Sequence, residues 1–137
     1  MKLQFTPLHE GVKIPKYAHT NDAGADIMMY KDTEIKHGKN IIPLGFKCIV
    51  PPGCAAFLTP RSSHMGDIVS NFVPIDPDYK GEWHLIVYNL GDDFVIKRDE
   101  RICQIVVLSG VQQCEFVSAH EYVKYQRGEN GIGSTGK

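Results

Sequence analysis

Between residues 33 and 59 the chain reads Thr33-Glu34-Ile35-Lys36-His37-Gly38-Lys39-Asn40-Ile41-Ile42-Pro43-Leu44-Gly45-Phe46-Lys47-Cys48-Ile49-Val50-Pro51-Pro52-Gly53-Cys54-Ala55-Ala56-Phe57-Leu58-Thr59. Short apolar runs alternate with residues that turn the backbone, and no period near 3.6 is sustained over a dozen positions, so strands rather than helices are expected. His37-Gly38-Lys39-Asn40 and Pro51-Pro52-Gly53 read as turns, and Ala55 to Thr59 as a further strand. Regularly spaced short strands with Gly and Pro between them point to an all-β, jelly-roll-like sandwich or barrel with little helix.

Outward from this stretch the pattern continues. Lys2 to Thr6 alternates polar and apolar residues as a first strand, and Asp67 to Asp76 reads as a hairpin. Past Gly81, Trp83, Leu85 and Val87 share one face while His84, Ile86 and Tyr88 share the other. Both faces are largely apolar, so this strand is either central in a sandwich or meets another subunit. Phe94-Val95-Ile96 and Arg101 to Leu108 are two more strands around the charged loop Lys97 to Glu100, and Cys114 to Val117 can add another. Ala119 to Val123 fits a short helix or a strand.

The whole chain has 137 residues, 42% hydrophobic and 23% charged, which suits one soluble domain with one core. Its formal charge of -1 gives no basic field for nucleic acid, so any anion site must be local. Neither a signal peptide nor a membrane span is indicated, and a cytoplasmic protein is expected. Cys48, Cys54, Cys103 and Cys114 form no C-x-x-C pair and lie in apolar runs, as buried reduced thiols do; the six histidines lack ligand spacing, so no metal is assigned to them.

Five landmarks carry chemistry. Ala23-Gly24-Ala25-Asp26 brings small residues, which allow close backbone packing, to an acid that either holds a loop or steers a water near a cation. Pro60-Arg61-Ser62-Ser63 joins a guanidinium to two hydroxyls, which suits phosphate oxygens; an Arg–carboxylate pair beside a capping serine fits equally, and a helical turn can begin at either serine. Ile75-Asp76-Pro77-Asp78-Tyr79-Lys80-Gly81-Glu82 is a tight connection, with Pro77 fixing one angle and Gly81 free to take a positive φ. Asp76 is there a candidate general base and Tyr79 a platform for a ring, against the plain reading of a hairpin turn whose acids face water. Arg101-Ile102-Cys103-Gln104 places Gln104 among apolar residues, where an amide usually bonds backbone. Arg127 to Lys137 is rich in Gly with Ser134 and Thr135, and reads as a disordered tail or as a segment that closes over a polyphosphate.

In this order the five segments resemble the trimeric deoxyuridine triphosphate nucleotidohydrolases, the dUTPases, from about residue 23 to the end. The resemblance implies a β jelly-roll domain over residues 1–126, a flexible C-terminal arm over 127–137 that closes the active site, and a homotrimer with shared sites. It implies that water attacks the α-phosphorus of dUTP to give dUMP and pyrophosphate. Asp76 would take the proton from the water, with Arg61 and Gln104 completing the catalytic set. Substrate would be held by Ser62, Ser63, Ser70, Asn71, Tyr79, Arg127, Ile132, Gly133, Ser134 and Thr135. Mg²⁺ would be carried mainly by the triphosphate, with Asp26 near it through water only.

Three features depart from the family pattern. Ile132 stands where an aromatic residue usually covers the uracil; Trp83 is a candidate substitute, although its alternation with Leu85 and Val87 favours the core. The interval from Arg61 to Asp76 is short, trimming the hairpin that reads the base. Ser63 and Pro74 occupy places where glycine is common. A dCTP deaminase resembles the same fold and motifs, but the proton-shuttling Glu of that family falls at Ile86, and the Gly-Ser-Thr-Gly arm fits the hydrolase. A nucleotide-dependent regulatory protein is the alternative of another class, with a protein partner unspecified.

Overall fold

The computed structural model describes residues 1–61, 63, 67–119, 128, 129, 131, 135 and 136. Ten strands are formed among the described residues: β1 (Gln4–Pro7), β2 (Gly24–Met28), β3 (Thr33–Ile35), β4 (Gly38–Ile49), β5 (Cys54–Pro60), β6 (Ile68–Ser70), β7 (Pro74–Ile75), β8 (Glu82–Asn89), β9 (Phe94–Ile96) and β10 (Arg101–Ser109). They make one sheet in the order β1-β4-β8-β6, a second in the order β2-β10-β5-β7, and a small pair β3-β9. Every pairing between them is antiparallel. The two four-stranded sheets enclose a single apolar core, the jelly-roll-like sandwich expected from the spacing of the apolar runs. No α-helix occurs among the described residues, and none there is long and apolar enough to cross a membrane.

The stretch quoted first supplies the spine. β4 runs without interruption through His37-Gly38-Lys39-Asn40's last three residues, which pair with Asn89, Tyr88 and Val87 instead of turning. Its register against β8 shifts between Pro43 and Lys47, and Gly45 stands there at φ 78°. A side chain at Gly45 would strike Tyr30 and Val12, so this position needs glycine for both conformation and space. The Gly45 N–H, left out of the ladder, donates to Glu82 Oε1 at 3.1 Å. Glu82 is therefore half-buried and structural, and not a solvated turn acid.

Strand β8 shows the strict alternation of a sheet with one buried face. Trp83, Leu85, Val87 and Asn89 are buried, whereas His84 and Ile86 are exposed. Trp83 packs on Phe46 at a ring separation of 5.6 Å and donates Nε1–H to the Cys48 carbonyl at 3.0 Å, so it belongs to the core. On the outer face, Ile86 lies opposite Ile41 and Tyr88 opposite Val69, leaving an exposed apolar band on the single chain.

Three local expectations fail for identifiable reasons. Asp67 to Asp76 is not a hairpin: β6 joins β8 in one sheet while β7 joins β5 in the other, so the segment crosses between layers. Cys114 to Val117 forms no strand, and Phe116 and Val117 are exposed, because that segment has no pairing partner among the described residues. Cys114 is accordingly exposed, while Cys48, Cys54 and Cys103 are buried free thiols as expected. The Ala119 to Val123 segment lies almost wholly outside the described residues.

Candidate active site

One half of the site rests on the sheet built around β10. Across it the register sets Asp26 of β2, Gln104 of β10 and Thr59 of β5 side by side, and Arg61 follows directly on β5. These residues line an open cleft of about 710 Å³ together with Gly24, Arg101 and, from the other sheet, Ser70. Gly24 is essential to this geometry: the Gln104 side chain occupies the volume that any Cβ there would need. Gln104 makes no bond to backbone among the described residues, contrary to the structural reading, and presents its amide to the cleft.

Asp26 is the buried charge of the cleft, 8% exposed. Arg61 Nε lies 3.0 Å from Oδ1 and Arg101 Nε 3.4 Å from Oδ2. A carboxylate removed from water is tolerable only when so compensated. Both readings of Arg61 are compatible with one geometry: Nε engages the acid, and the guanidinium lines the cleft that an anion would enter. Below the cleft, burial and then the charge of Asp26 push the Cys103 thiol far above its ordinary value, so it stays protonated.

The other half is the connection from β7 to β8. Tyr79 N–H donates to the Asp76 carbonyl at 3.3 Å, and Asp78 N–H to the Val50 carbonyl at 3.2 Å. The left-handed residue of this turn is Asp78, at φ 64°, and not Gly81. Aspartate tolerates that conformation, and Pro77 before it presets the turn. Gly81 serves another purpose, since the Tyr79 ring lies where its Cβ would be. The Tyr79 hydroxyl donates to the Glu82 carbonyl at 3.2 Å, pinning the ring. Asp76 is exposed, and it shares a cleft of about 250 Å³ with Tyr79, Glu82, Trp83 and His84.

The residues singled out from sequence therefore divide. Asp26, Arg61, Gln104 and Ser70 line the first cleft; Asp76 and Tyr79 line the second. Asn71 sits in an apolar hollow beside the second cleft, bounded also by Val73, Ile75 and His84. Ser63 lies exposed in a 3₁₀ turn and Thr135 is exposed in a turn near the end. Ser62, Arg127, Ile132, Gly133 and Ser134 lie outside the described residues. Arg101, Glu82 and His84 had no assigned role; Arg101 meets Asp26 and Glu82 meets Gly45 only through strands far apart in sequence, which no local pattern signals.

The described residues contain no group of three His, Cys, Asp or Glu side chains able to hold a metal. The one buried carboxylate here, Asp26, already faces two guanidinium groups. A divalent cation fits this cleft only if an anionic ligand brings most of its coordination, with Asp26 reaching it through water.

An arginine, an amide and a hydroxyl lining one cleft of a jelly-roll-like sandwich are donors of the class that suits a phosphorylated ligand. Comparison narrows the class. The dUTPase family's sequence profile matches residues 10–136. A deoxyuridine 5'-triphosphate nucleotidohydrolase of Fusobacterium nucleatum is 36% identical over 136 residues, covering 93% of this chain and 92% of that protein. The chain belongs to the dUTPase family. Among solved structures, a mutant dUTPase of Staphylococcus bacteriophage 80alpha with dUpNHpp superposes with a TM-score of 0.86 at 24% identity, covering 99% of each chain. A mutant dUTPase from phage phi11 of S. aureus, solved to show how a structural Mg(II) ion is coordinated, superposes with a TM-score of 0.80 at 19% identity, over 90% of this chain and 100% of that one.

Proposed function

We propose that this protein is a dUTP diphosphatase that hydrolyses dUTP to dUMP and pyrophosphate through sites shared between the subunits of a homotrimer. The observation that carries the shared site is the separation of its halves. β7 pairs Ile75 with Ala56, so Asp76 continues towards register position 55, while Gln104 pairs with Thr59. Four strand positions amount to about 13 Å, too far for one chain to set the base and the phosphate-holding groups around one phosphorus. A neighbour's Asp76 set against this chain's Arg61 and Gln104 completes the constellation, and the exposed band of Ile41, Ile86 and Val69 offers apolar surface for assembly.

In that arrangement Asp76 removes the proton from a water as it attacks the α-phosphorus. Its turn is closed by two backbone hydrogen bonds, so the carboxylate starts near its working position. Arg61, with Ser62, takes phosphate oxygens, and the Gln104 amide orients the water or an oxygen beside it. Tyr79 lies under the deoxyribose, where its pinned ring leaves no room for a ribose hydroxyl. Ser63, Ser70 and Asn71 contact the nucleotide, while Ile132 and Gly133 lie over the base. Arg127, Ser134 and Thr135 come from an arm over 127–137 to the outer phosphates. Mg²⁺ bound to the triphosphate supplies charge neutralisation, with Asp26 the nearest protein group. The protein acts in the cytoplasm on free nucleotide.

The deaminase alternative is not favoured. It requires a carboxylate at Ile86, and that side chain stands on the outer, apolar face of β8. Incubating the protein with dUTP, dCTP and dTTP in turn, each with Mg²⁺, and measuring pyrophosphate and ammonia tests the reading. Pyrophosphate from dUTP alone is expected; its absence overturns the proposal, and ammonia from dCTP replaces it with the deaminase. Truncation after Gln126 is expected to leave a folded trimer with a large loss of turnover, and loss of folding would make the arm structural.

A further inference from the structure

We propose that Asn130 is a site of spontaneous covalent modification, at which the side-chain amide becomes a carboxylate within the arm that closes over the triphosphate, so that closure weakens as the protein ages. The chemistry stands by itself, whereas its consequence for activity rests on the dUTP reading above.

Asn130-Gly131 is the single Asn-Gly pair in the chain. The reaction needs only water. The Gly131 backbone nitrogen loses its proton to solvent and attacks Asn130 Cγ; a C–N bond forms, and the side-chain nitrogen takes up a proton and leaves as ammonia. Water then opens the succinimide ring at either carbonyl, leaving an aspartate or an isoaspartate and one new negative charge. Glycine at the attacking position matters because it has no side chain to crowd the nitrogen and is the residue least restricted in backbone angle. Gly131 is exposed, lies in neither strand nor helix, and a Cβ built on it would meet nothing within 4 Å. Gly128 and Glu129 just ahead form an exposed turn.

The other four asparagines are protected by structure or by sequence. Asn40 on β4 accepts from the Lys36 N–H and donates to the Lys36 and Gly38 carbonyls. Asn89 on β8 is buried, accepts from the Gly91 N–H and donates to the Asp92 carbonyl. Both amides are engaged, on strands whose paired backbone holds the next nitrogen away from the side chain. Asn21 and Asn71 precede Asp22 and Phe72, whose side chains stand beside the attacking nitrogen.

The place of the new charge decides its effect. Arg127 and Lys137 against Glu129 leave the side chains of residues 127–137 with one net positive charge, which favours an arm brought over a triphosphate. A carboxylate at position 130 cancels it. In the cleft itself Arg61 and Arg101 already face Asp26, so two of its cations are shared with an acid before the arm arrives.

The test stores the intact protein in mildly alkaline buffer and follows it by peptide mass spectrometry and by turnover. A mass gain of about 1 Da, with release of ammonia, is expected in the peptide that holds Asn130 and not in those that hold Asn21, Asn40, Asn71 or Asn89. Turnover at subsaturating dUTP should fall in step with the modified fraction, while Asn130→Ser keeps its own starting activity over the same period. Asn130→Asp reproduces the end state directly. Its KM for dUTP is expected to rise about threefold to tenfold at low salt with kcat within about twofold, and the rise should shrink at high salt, as a merely structural disturbance would not. No mass gain at Asn130, a gain as fast at Asn21 or Asn71, or a wild-type KM for Asn130→Asp at low salt overturns the proposal. If fresh wild type fails to turn over dUTP, the underlying function falls, and the mass change still decides whether Asn130 is the modified residue.

Discussion

The two clefts of this molecule are built by different means. The Asp26 cleft stands on three strands paired through long sequence separations, with Asp26, Gln104 and Thr59 brought abreast by register. The Asp76 cleft stands on one short connection whose geometry is local: Pro77, the left-handed Asp78 and the Tyr79–Asp76 hydrogen bond fix it within four residues. Non-local pairing makes the first a rigid receptor for charge, while the turn delivers a reactive acid that solvent can reach. Under the proposed function, phosphate holding falls to the sheet and proton transfer to the turn.

The strongest way to break this contrast is Asp76→Asn. If the turn carries the base, kcat should fall by about 10²–10⁴ while dUpNHpp still binds within a few-fold of wild type by calorimetry. Near-normal turnover would move the base elsewhere and erase the distinction. Second in size is Gly24→Ala, aimed at the sheet cleft. The added methyl collides with a flexible side chain, so Gln104 moves aside rather than the fold giving way. A stability loss near the low end of the about 1–3 kcal/mol typical of overpacking is expected in urea melts. The accompanying loss of kcat/KM should approach about a hundredfold, because displacement of an orienting group by an ångström is enough. Wild-type kinetics would show that Gln104 does not orient anything.

The same contrast explains what was legible in the amino acids. Strand content was, because apolar runs and Gly–Pro punctuation report it locally. The turn at Asp76 was legible for the same reason, though its left-handed residue was misassigned: glycine is the default, and only the Asp78 backbone shows that an aspartate takes that place. Asp67 to Asp76 failed as a hairpin because two short strands in sequence carry no mark of which sheet each joins. Gln104 over Gly24, and Arg101 beside Asp26, depend on partners some eighty residues away in the chain, which no window of residues contains. Cys114 misled because an apolar run predicts burial only when something pairs with it.

Glu82→Ala sharpens the comparison at the point where the turn meets the sheet. The substitution leaves the Gly45 N–H without its carboxylate partner, and a half-buried charged hydrogen bond of this kind contributes about 1–2 kcal/mol. The midpoint of urea unfolding should shift accordingly, while Glu82→Gln, which keeps an acceptor, recovers most of it. Turnover should change little, since the backbone carbonyl that holds Tyr79 and His84 survives. A large kinetic loss with full stability would mean that the bulge and the turn move together during catalysis.

The smallest effect concerns cysteines and probes the rigidity of the sheet cleft directly. Cys103 lies between Ile102 and Gln104 on β10, fully buried, and burial together with the nearby Asp26 holds its thiol protonated. Burial also pushes the Cys48 thiol up. Thiolate is the reactive form, so under native conditions near pH 8 a disulfide reagent should modify Cys114 quickly and Cys103 only as the protein unfolds. Cys114→Ser should leave dUTP turnover unchanged within about twofold, because surface substitutions away from a site seldom matter. Modification of Cys103 at the rate of Cys114 would show that β10 separates from β2 or β5 in the native state. The sheet cleft would then be the mobile half, and the turn the fixed one.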